Sequence, residues 1–348
     1  MRYLVTGGCG FLGSNIAAAA LRAGHTVTVL DNLSRVGGDL NLAWLRDQGD
    51  CAFTEGDVRD QGQCATLVES FRPDVVFHLA GQVAMTTSLR NPRLDFETNA
   101  LGTLNMLEAV REHAAAAAFL YSSTNKVYGD LEQLRFAELA TRYSLLDYPA
   151  GIPEDIGLAF RSPYGCSKGC ADQYVLDFAR IYGLRTAVFR HSSIFGERQF
   201  ATIDQGWVGW FCAEAVRQRA GDKSEFTVSG NGKQVRDVLH VDDAVALYLE
   251  AALEIDRIAG QAFNIGGGME NTLSILELLQ LLQDISGEKL HWRSIAVRES
   301  DQRVFAADLA KVSSLLTWRP RVAKLEGVTR MLKWAGIQAG SSLDARRQ

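Results

Sequence analysis

A short β-branched run at residues 3–6 passes directly into Gly7-Gly8-Cys9-Gly10-Phe11-Leu12-Gly13 and then into an alanine-rich stretch of helical pattern, a junction few folds accept. It reads as a strand, a tight turn and a helix. Gly7 permits the turn, Gly10 lets the backbone approach a pyrophosphate, and Gly13 lets the helix pack close on its strand. The helix start at Phe11 and Leu12 adds unpaired N–H groups and a partial positive charge. A glycine motif alone is a weak signal, so the rest of the chain must support it.

That support begins with rhythm. Strand patterns at 3–6, 26–30, 52–55, 75–79, 119–122 and 186–190 alternate with helical patterns beginning near Phe11, Gln61, Leu94 and Tyr164. Such alternation predicts βαβ units and a parallel sheet. The fold class expected is α/β, a Rossmann-type doubly wound parallel sheet with a smaller mixed α/β substrate-binding lobe. Residues 1–190 form the expected dinucleotide domain, with 236–258 returning to it; 191–235 and 259–340 form the lobe, and 341–348 a frayed tail. Residues 130–162, with Pro149 and Pro153, break the rhythm and read as a long functional loop with short helical pieces.

Asp31 stands at the end of the second strand, eighteen residues past Gly13, where a carboxylate can accept hydrogen bonds from an adenosine ribose. An acid there favours NAD over NADP, although Arg35, four residues on, offers a guanidinium to a 2′-phosphate. Gly56-Asp57-Val58 ends the third strand and Leu79-Ala80-Gly81 the fourth, both at carboxyl ends where ligands of open α/β sheets bind. Asp57 reads equally well as a solvated turn residue.

Tyr164 and Lys168 lie four apart and so share one helix face. A cation near a phenol stabilises phenolate and lowers its pKa, which suits proton transfer at a carbinol losing hydride. Ser122-Ser123-Thr124 closes the fifth strand, and Thr124 can bond the same hydroxyl.

Together, the glycine turn, Asp31, Gly56-Asp57, Thr124, Tyr164 and Lys168, and Arg190-His191-Ser192 resemble the extended short-chain dehydrogenases/reductases over nearly the whole chain. The runs 81–88, 122–129, 162–168, 198–201, 204–210 and 297–303 are more narrowly similar to the nucleotide-sugar epimerases of that superfamily. The resemblance implies inversion at C2 of CDP-paratose to CDP-tyvelose through a transient 2-keto sugar, with NAD staying bound. Tyr164 would be general base and acid, Lys168 its activator and ribose anchor, Thr124 the hydroxyl partner.

Cofactor contacts are expected from Gly7, Gly10, Phe11, Leu12, Gly13, Asp31, Asn32, Ser34, Arg35, Asp57, Val58, Leu79, Ala80, Gln82, Asn99, Ser122, Tyr164, Lys168 and His191. Substrate contacts are expected from Gln82, Thr124, Asn125, His191, Gln199, Arg236, Arg298 and Arg303; the arginines read equally as surface ion pairs. Nucleotide-sugar dehydratases of the superfamily carry an acidic pair after the threonine, because eliminating water needs its own acid and base. Here Asn125 and Lys126 hold those places. A UDP-sugar 4-epimerase shares the triad, and a silent NAD-sensing regulator would commonly lose the Tyr/Lys pair. His78 reads as a satisfied core histidine, and Trp207 and Trp210 as core or interface.

The net charge of -5 and the lack of long Lys/Arg runs argue against nucleic acid as a partner. No stretch approaches a membrane span, and the opening residues do not make a signal sequence. Six cysteines without metal-ligand spacing read as free thiols in a reducing cytoplasm, with no metal site. A homo-oligomer, dimer or tetramer, is expected from the resemblance alone.

Overall fold

The computed structural model describes residues 1–297 and 301–345. Its core is a seven-stranded, all-parallel sheet built from β1 (Arg2–Thr6), β2 (Thr26–Asp31), β3 (Cys51–Glu55), β4 (Val75–His78), β5 (Ala118–Thr124), β8 (Arg185–His191) and β12 (Gln261–Ile265), in the order β12-β8-β5-β4-β1-β2-β3. Strands buried on both faces need apolar residues at every position, and Val75, Val76, Phe77, Phe119, Leu120 and Tyr121 are all inaccessible. Helices α1 (Phe11–Arg22), α2 (Gly38–Arg46), α3 (Gln61–Phe71), α6 (Gly102–His113), α7 (Ser162–Tyr182) and α9 (Val241–Leu253) cover the sheet, α1 and α9 packing together on one side and α3, α6 and α7 on the other. The chain leaves β1 toward β2 and β3, then returns to build outward from β4. That reversal opens a crevice at the carboxyl ends of β1 and β4.

The smaller lobe holds β9 (Ser193–Phe195), β11 (Val235–His240), β13 (Thr272–Ser274) and β15 (Val304–Phe305) in one sheet, and β10 (Phe226–Ser229) paired with β14 (Trp292–Ile295) in another. Helix α8 (Trp207–Arg219) packs there against the helix Lys324–Ala345.

Several expectations need correction. Gln261–Ile265, assigned to the lobe, is an edge strand of the main sheet, because its apolar residues pair with β8 and meet the main core. Of 236–258, the helical part and Leu239 pack into the core of that sheet, but β11 itself pairs within the lobe. The 130–162 segment contains an antiparallel hairpin, β6 (Phe136–Glu138) and β7 (Tyr143–Leu145), in place of helical pieces. The helix expected near Leu94 is a composite: α4 (Met85–Arg90) breaks at Asn91, and α5 (Pro92–Phe96) runs into α6 through a single π turn over Glu97–Leu101. The tail expected from 341 is helical to Ala345; 346–348 lie outside the described residues.

Candidate active site

The turn after β1 is built as its spacing requires. Gly7 has φ 68°, and a Cβ there would lie 2.8 Å from the Ala80 nitrogen, so only glycine lets β1 and β4 open side by side. A Cβ on Gly13 would meet the Gly7 carbonyl at 2.2 Å. The first N–H groups of α1 therefore point into a cavity of about 360 Å³ lined by Gly7, Gly10, Phe11, Leu12, Gly13, Asp31, Asn32, Ser34, Arg35, Asp57, Val58, Leu79, Ala80, Ser122, Thr124, Tyr164, His191 and Gln199.

At the adenosine end, Asp31 accepts from the Cys9 N–H (2.9 Å) and the Leu33 N–H (2.8 Å), leaving lone pairs for a ribose hydroxyl. Burial pushes its carboxyl up, and those backbone donors pull it back. Asp57 is also partly desolvated, but the Arg59 guanidinium and the Asn32 amide outweigh that and hold it at about 2.

At the other end, β5 delivers Ser122 and Thr124 and α7 delivers Tyr164. Lys168 does not line the cavity. Its ammonium donates to the Ser122 carbonyl (2.5 Å) and sits 4.3 Å above the Tyr121 ring. Burial lowers it to about 7 despite Asp172 and Asp95 nearby. Burial likewise pushes the Tyr164 phenol up to about 12, against a hydrogen bond with Thr124. The expected lowering of the phenol by its neighbouring ammonium is thus absent: burial governs both groups, and the lysine is anchored on the β5 backbone.

Gln82 and Asn99 also lie behind the cavity wall. The Gln82 side chain donates to Asp95 (2.7 Å) and the Ala84 carbonyl, and Asn99 donates to the Gln82 carbonyl and Ser167, so Asn99 braces α7 from behind and Gln82 holds Asp95, which accepts from the same Ser167. Asn125 is buried and donates to Gln302 (2.8 Å), away from the cavity. His191 faces the cavity, its Nε2 2.7 Å from the Tyr248 hydroxyl, and burial drops it to about 3, so it is neutral. His78 bridges Thr6 and Thr103 as a core histidine.

A second cavity of about 240 Å³ contains Arg236, which pairs with Asp301 at 2.8 Å, and Lys126, which burial lowers to about 8. Arg303 faces elsewhere: its backbone carbonyl accepts from Val235 and its guanidinium lies over the Phe136 and Tyr143 rings. Arg298 lies outside the described residues. Sequence reasoning missed Asn41, Arg198 and Phe200, which line the first cavity, and Trp207, which lines both and donates to Ser193 (2.9 Å). Arg198, Phe200 and Trp207 stand in runs that carry the family resemblance, 198–201 and 204–210, but only tertiary packing assigns them a place at the cavity, and Asn41 carries no sequence signal. All six cysteines are free, and among the described residues no cluster of three His, Cys, Asp or Glu side chains can hold a metal. No described helix is long and apolar enough to cross a membrane.

A glycine-turn crevice with a ribose-reading acid and a Tyr164–Lys168 helix marks a nicotinamide enzyme, and comparison with known proteins specifies the class. The model for the NAD dependent epimerase/dehydratase family matches residues 3–266. CDP-paratose 2-epimerase of Salmonella typhi is 55% identical over 334 residues, covering 96% of this chain and 99% of that protein. The structure of UDP-glucose 4-epimerase from Thermotoga maritima with UDP-glucose aligns at TM-score 0.81 and 30% identity, over 97% and 100% of the two chains. That of Thermus thermophilus UDP-glucose 4-epimerase with NAD aligns at TM-score 0.79 and 27% identity, over 96% and 99%. The chain belongs to the NAD-dependent epimerase/dehydratase family. It is an enzyme, and NAD is its cofactor.

Proposed function

We propose that the protein is an NAD-dependent nucleotide-sugar epimerase that inverts C2 of CDP-paratose to give CDP-tyvelose, working in the cytoplasm as a homo-oligomer. The similarity to the Salmonella typhi enzyme over the full length of both chains supports this substrate. The observation that carries the reaction type is the make-up of the reacting end. Its proton-handling groups are the Tyr164 phenol and the Thr124 hydroxyl, while the cavity-lining carboxylates among the described residues, Asp31 and Asp57, stand at the adenosine end. Eliminating water needs a second, dedicated acid and base; oxidising and re-reducing one carbinol needs a single proton site.

NAD held by the glycine turn and Asp31 would supply hydride transfer to and from the carbinol carbon and a positive charge that favours phenolate. Tyr164 accepts the proton of the sugar hydroxyl as its O–H bond breaks and gives it back when the ketone is reduced. Thr124 holds the phenol and the hydroxyl in line. The neutral His191 and the small Ser192 and Ser193 leave room for the ketone to turn its other face. Arg236 and Lys126 supply positive charge to the sugar's diphosphate in the adjoining cavity.

Incubation with CDP-paratose, followed by NMR of the product, tests the reading. Inversion at C2 is expected. Turnover of UDP-glucose with no inversion of CDP-paratose would replace it with a 4-epimerase.

A further inference from the structure

Residues 196–200 follow β9 out of the smaller lobe and run across the cavity at the end where Asp31 and residues 32–36 receive the adenosine. Arg198 there adopts φ 71°, a left-handed conformation that a non-glycine residue keeps only when its surroundings over-determine it. The surroundings are aromatic and specific. Its guanidinium lies 4.8 Å from the Trp44 ring centre, 4.9 Å from Trp334 and 5.7 Å from Phe200. Its Nε donates to Asn41 Oδ1 (2.9 Å) and its Nη2 to the Leu40 carbonyl (3.0 Å). Asn41, buried, donates in turn to the Cys9 carbonyl in the glycine turn (3.0 Å) and back to the Arg198 carbonyl (3.3 Å).

Phe200 locks the same closure from the other side. A Cβ at Gly37 would come within 2.1 Å of its ring, so the phenyl group occupies the space a side chain would take, and it meets Trp334 edge-on at 5.7 Å. Three separate parts of the molecule are thereby tied over the cofactor crevice: the glycine turn, α2 with its leading loop, and the helix Lys324–Ala345.

We infer that Arg198 and Phe200 form a clasp over the adenosine end of the crevice, so that NAD leaves only when this segment lifts from Asn41, Trp44 and Gly37. The inference rests on the proposed epimerisation for its purpose: a reduced cofactor lost before the ketone is reduced would strand the sugar. Its physical content stands without that purpose. Contacts of this kind act on departure more than on arrival, since most affinity differences at one site lie in the dissociation rate.

The test is exchange of bound NAD, with no sugar present. The purified protein, carrying its NAD, is mixed with excess isotope-labelled NAD, and the original cofactor still bound is measured over time by rapid filtration and mass spectrometry. Arg198→Ala and Phe200→Ala should each exchange about tenfold faster than the parent, as loss of one or two desolvated cation–π or edge-on contacts implies. Arg198→Lys, which keeps the charge but not the fork to Asn41 and Leu40, should fall between. Should either alanine variant fail to fold, as judged by thermal melting, Phe200→Leu decides. Folded variants exchanging within about twofold of the parent rate would overturn the clasp. Because no sugar is present, that result leaves the C2 assignment untouched, and failure of C2 inversion leaves the exchange result standing.

Discussion

Asp237 offers a quantitative test of how the lobe is fastened to the main sheet. It lies on β11, wholly buried, with Oδ2 accepting from the Ala307 N–H (3.1 Å) and the Gly268 N–H (3.3 Å). Its Oδ1 has no hydrogen-bond partner. The fit is close, for a Cβ on Gly266 would be 1.7 Å from Oδ2. Burial pushes this carboxyl up from 3.8 to about 6. The folded protein therefore holds a proton to higher pH than the unfolded chain, and stability is lost as pH rises from about 4 to about 6 and stays lost above, by about 3 kcal/mol in all.

Asp237→Asn removes the charge and keeps the shape, while its amide nitrogen brings a buried donor that costs about 1–3 kcal/mol if unpaired. The offset between the two proteins thus mixes two effects, but its pH dependence does not. The variant's stability relative to the parent should grow by about 1.5 kcal/mol between about pH 5 and about pH 8. Urea denaturation of both proteins across that range reads this difference directly. Asp57 and Glu197, held at about 2, lose stability as pH falls, but equally in both proteins, so they cancel. A difference that stays flat across the range would refute the claim that burial of Asp237 outweighs the hydrogen bonds its carboxyl accepts.

Tyr164→Phe should lower kcat by about 10²–10⁴-fold while the NAD content of the purified protein, read after denaturation, stays unchanged. Gly13→Ala drives a methyl group into the Gly7 carbonyl at 2.2 Å, so it should melt lower, with overpacking costing about 1–3 kcal/mol, and be purified without NAD. Asp172→Asn breaks a buried pair in which Arg190 donates through Nε (3.0 Å) and Nη2 (2.9 Å), and chemical denaturation should show a loss of about 3–5 kcal/mol.

The parts of the fold visible in the sequence are those where one constraint dominates. Parallel strands buried on both faces must be apolar throughout, which marks Val75, Val76 and Phe77 of β4 and the Phe119–Tyr121 core of β5 without knowledge of their neighbours. Elements whose register depends on a partner are harder to read. The hairpin of Phe136–Glu138 and Tyr143–Leu145 has only three residues a side, and Phe136-Ala137-Glu138 shows no alternation, so it reads as loop. Helix Gly38–Arg46 opens on two glycines and was not anticipated, since its stability comes from Leu42 and Leu45 meeting the core. Gln261–Ile265 lies far along the chain from the first six strands, and only pairing with β8 reveals its sheet.

The site divides the same way. The glycines, Asp31 and Thr124 lie at fixed offsets from strand ends and Tyr164 four residues before Lys168 on one helix, and the structure brings the glycines, Asp31, Thr124 and Tyr164 to one cavity. Gln82, Asn99 and Asn125 carry the right chemistry but spend it on Asp95, Ser167 and Gln302, a choice made by packing. Arg198 and Phe200 reach the crevice from the start of the smaller lobe; run 198–201 carries the resemblance, but their contacts with Asn41, Trp44 and Gly37 come only from the fold.

Running the reaction in deuterated water examines the heart of the account, a hydride that leaves C2 and comes back to it while Tyr164 handles only the hydroxyl proton. NMR of CDP-tyvelose formed from CDP-paratose should find C2 carrying its original hydrogen, with no deuterium incorporated. Deuterium at C2 of the inverted sugar would mean that the carbon itself is deprotonated by a base, and the role given to the phenol and its nicotinamide partner would be wrong.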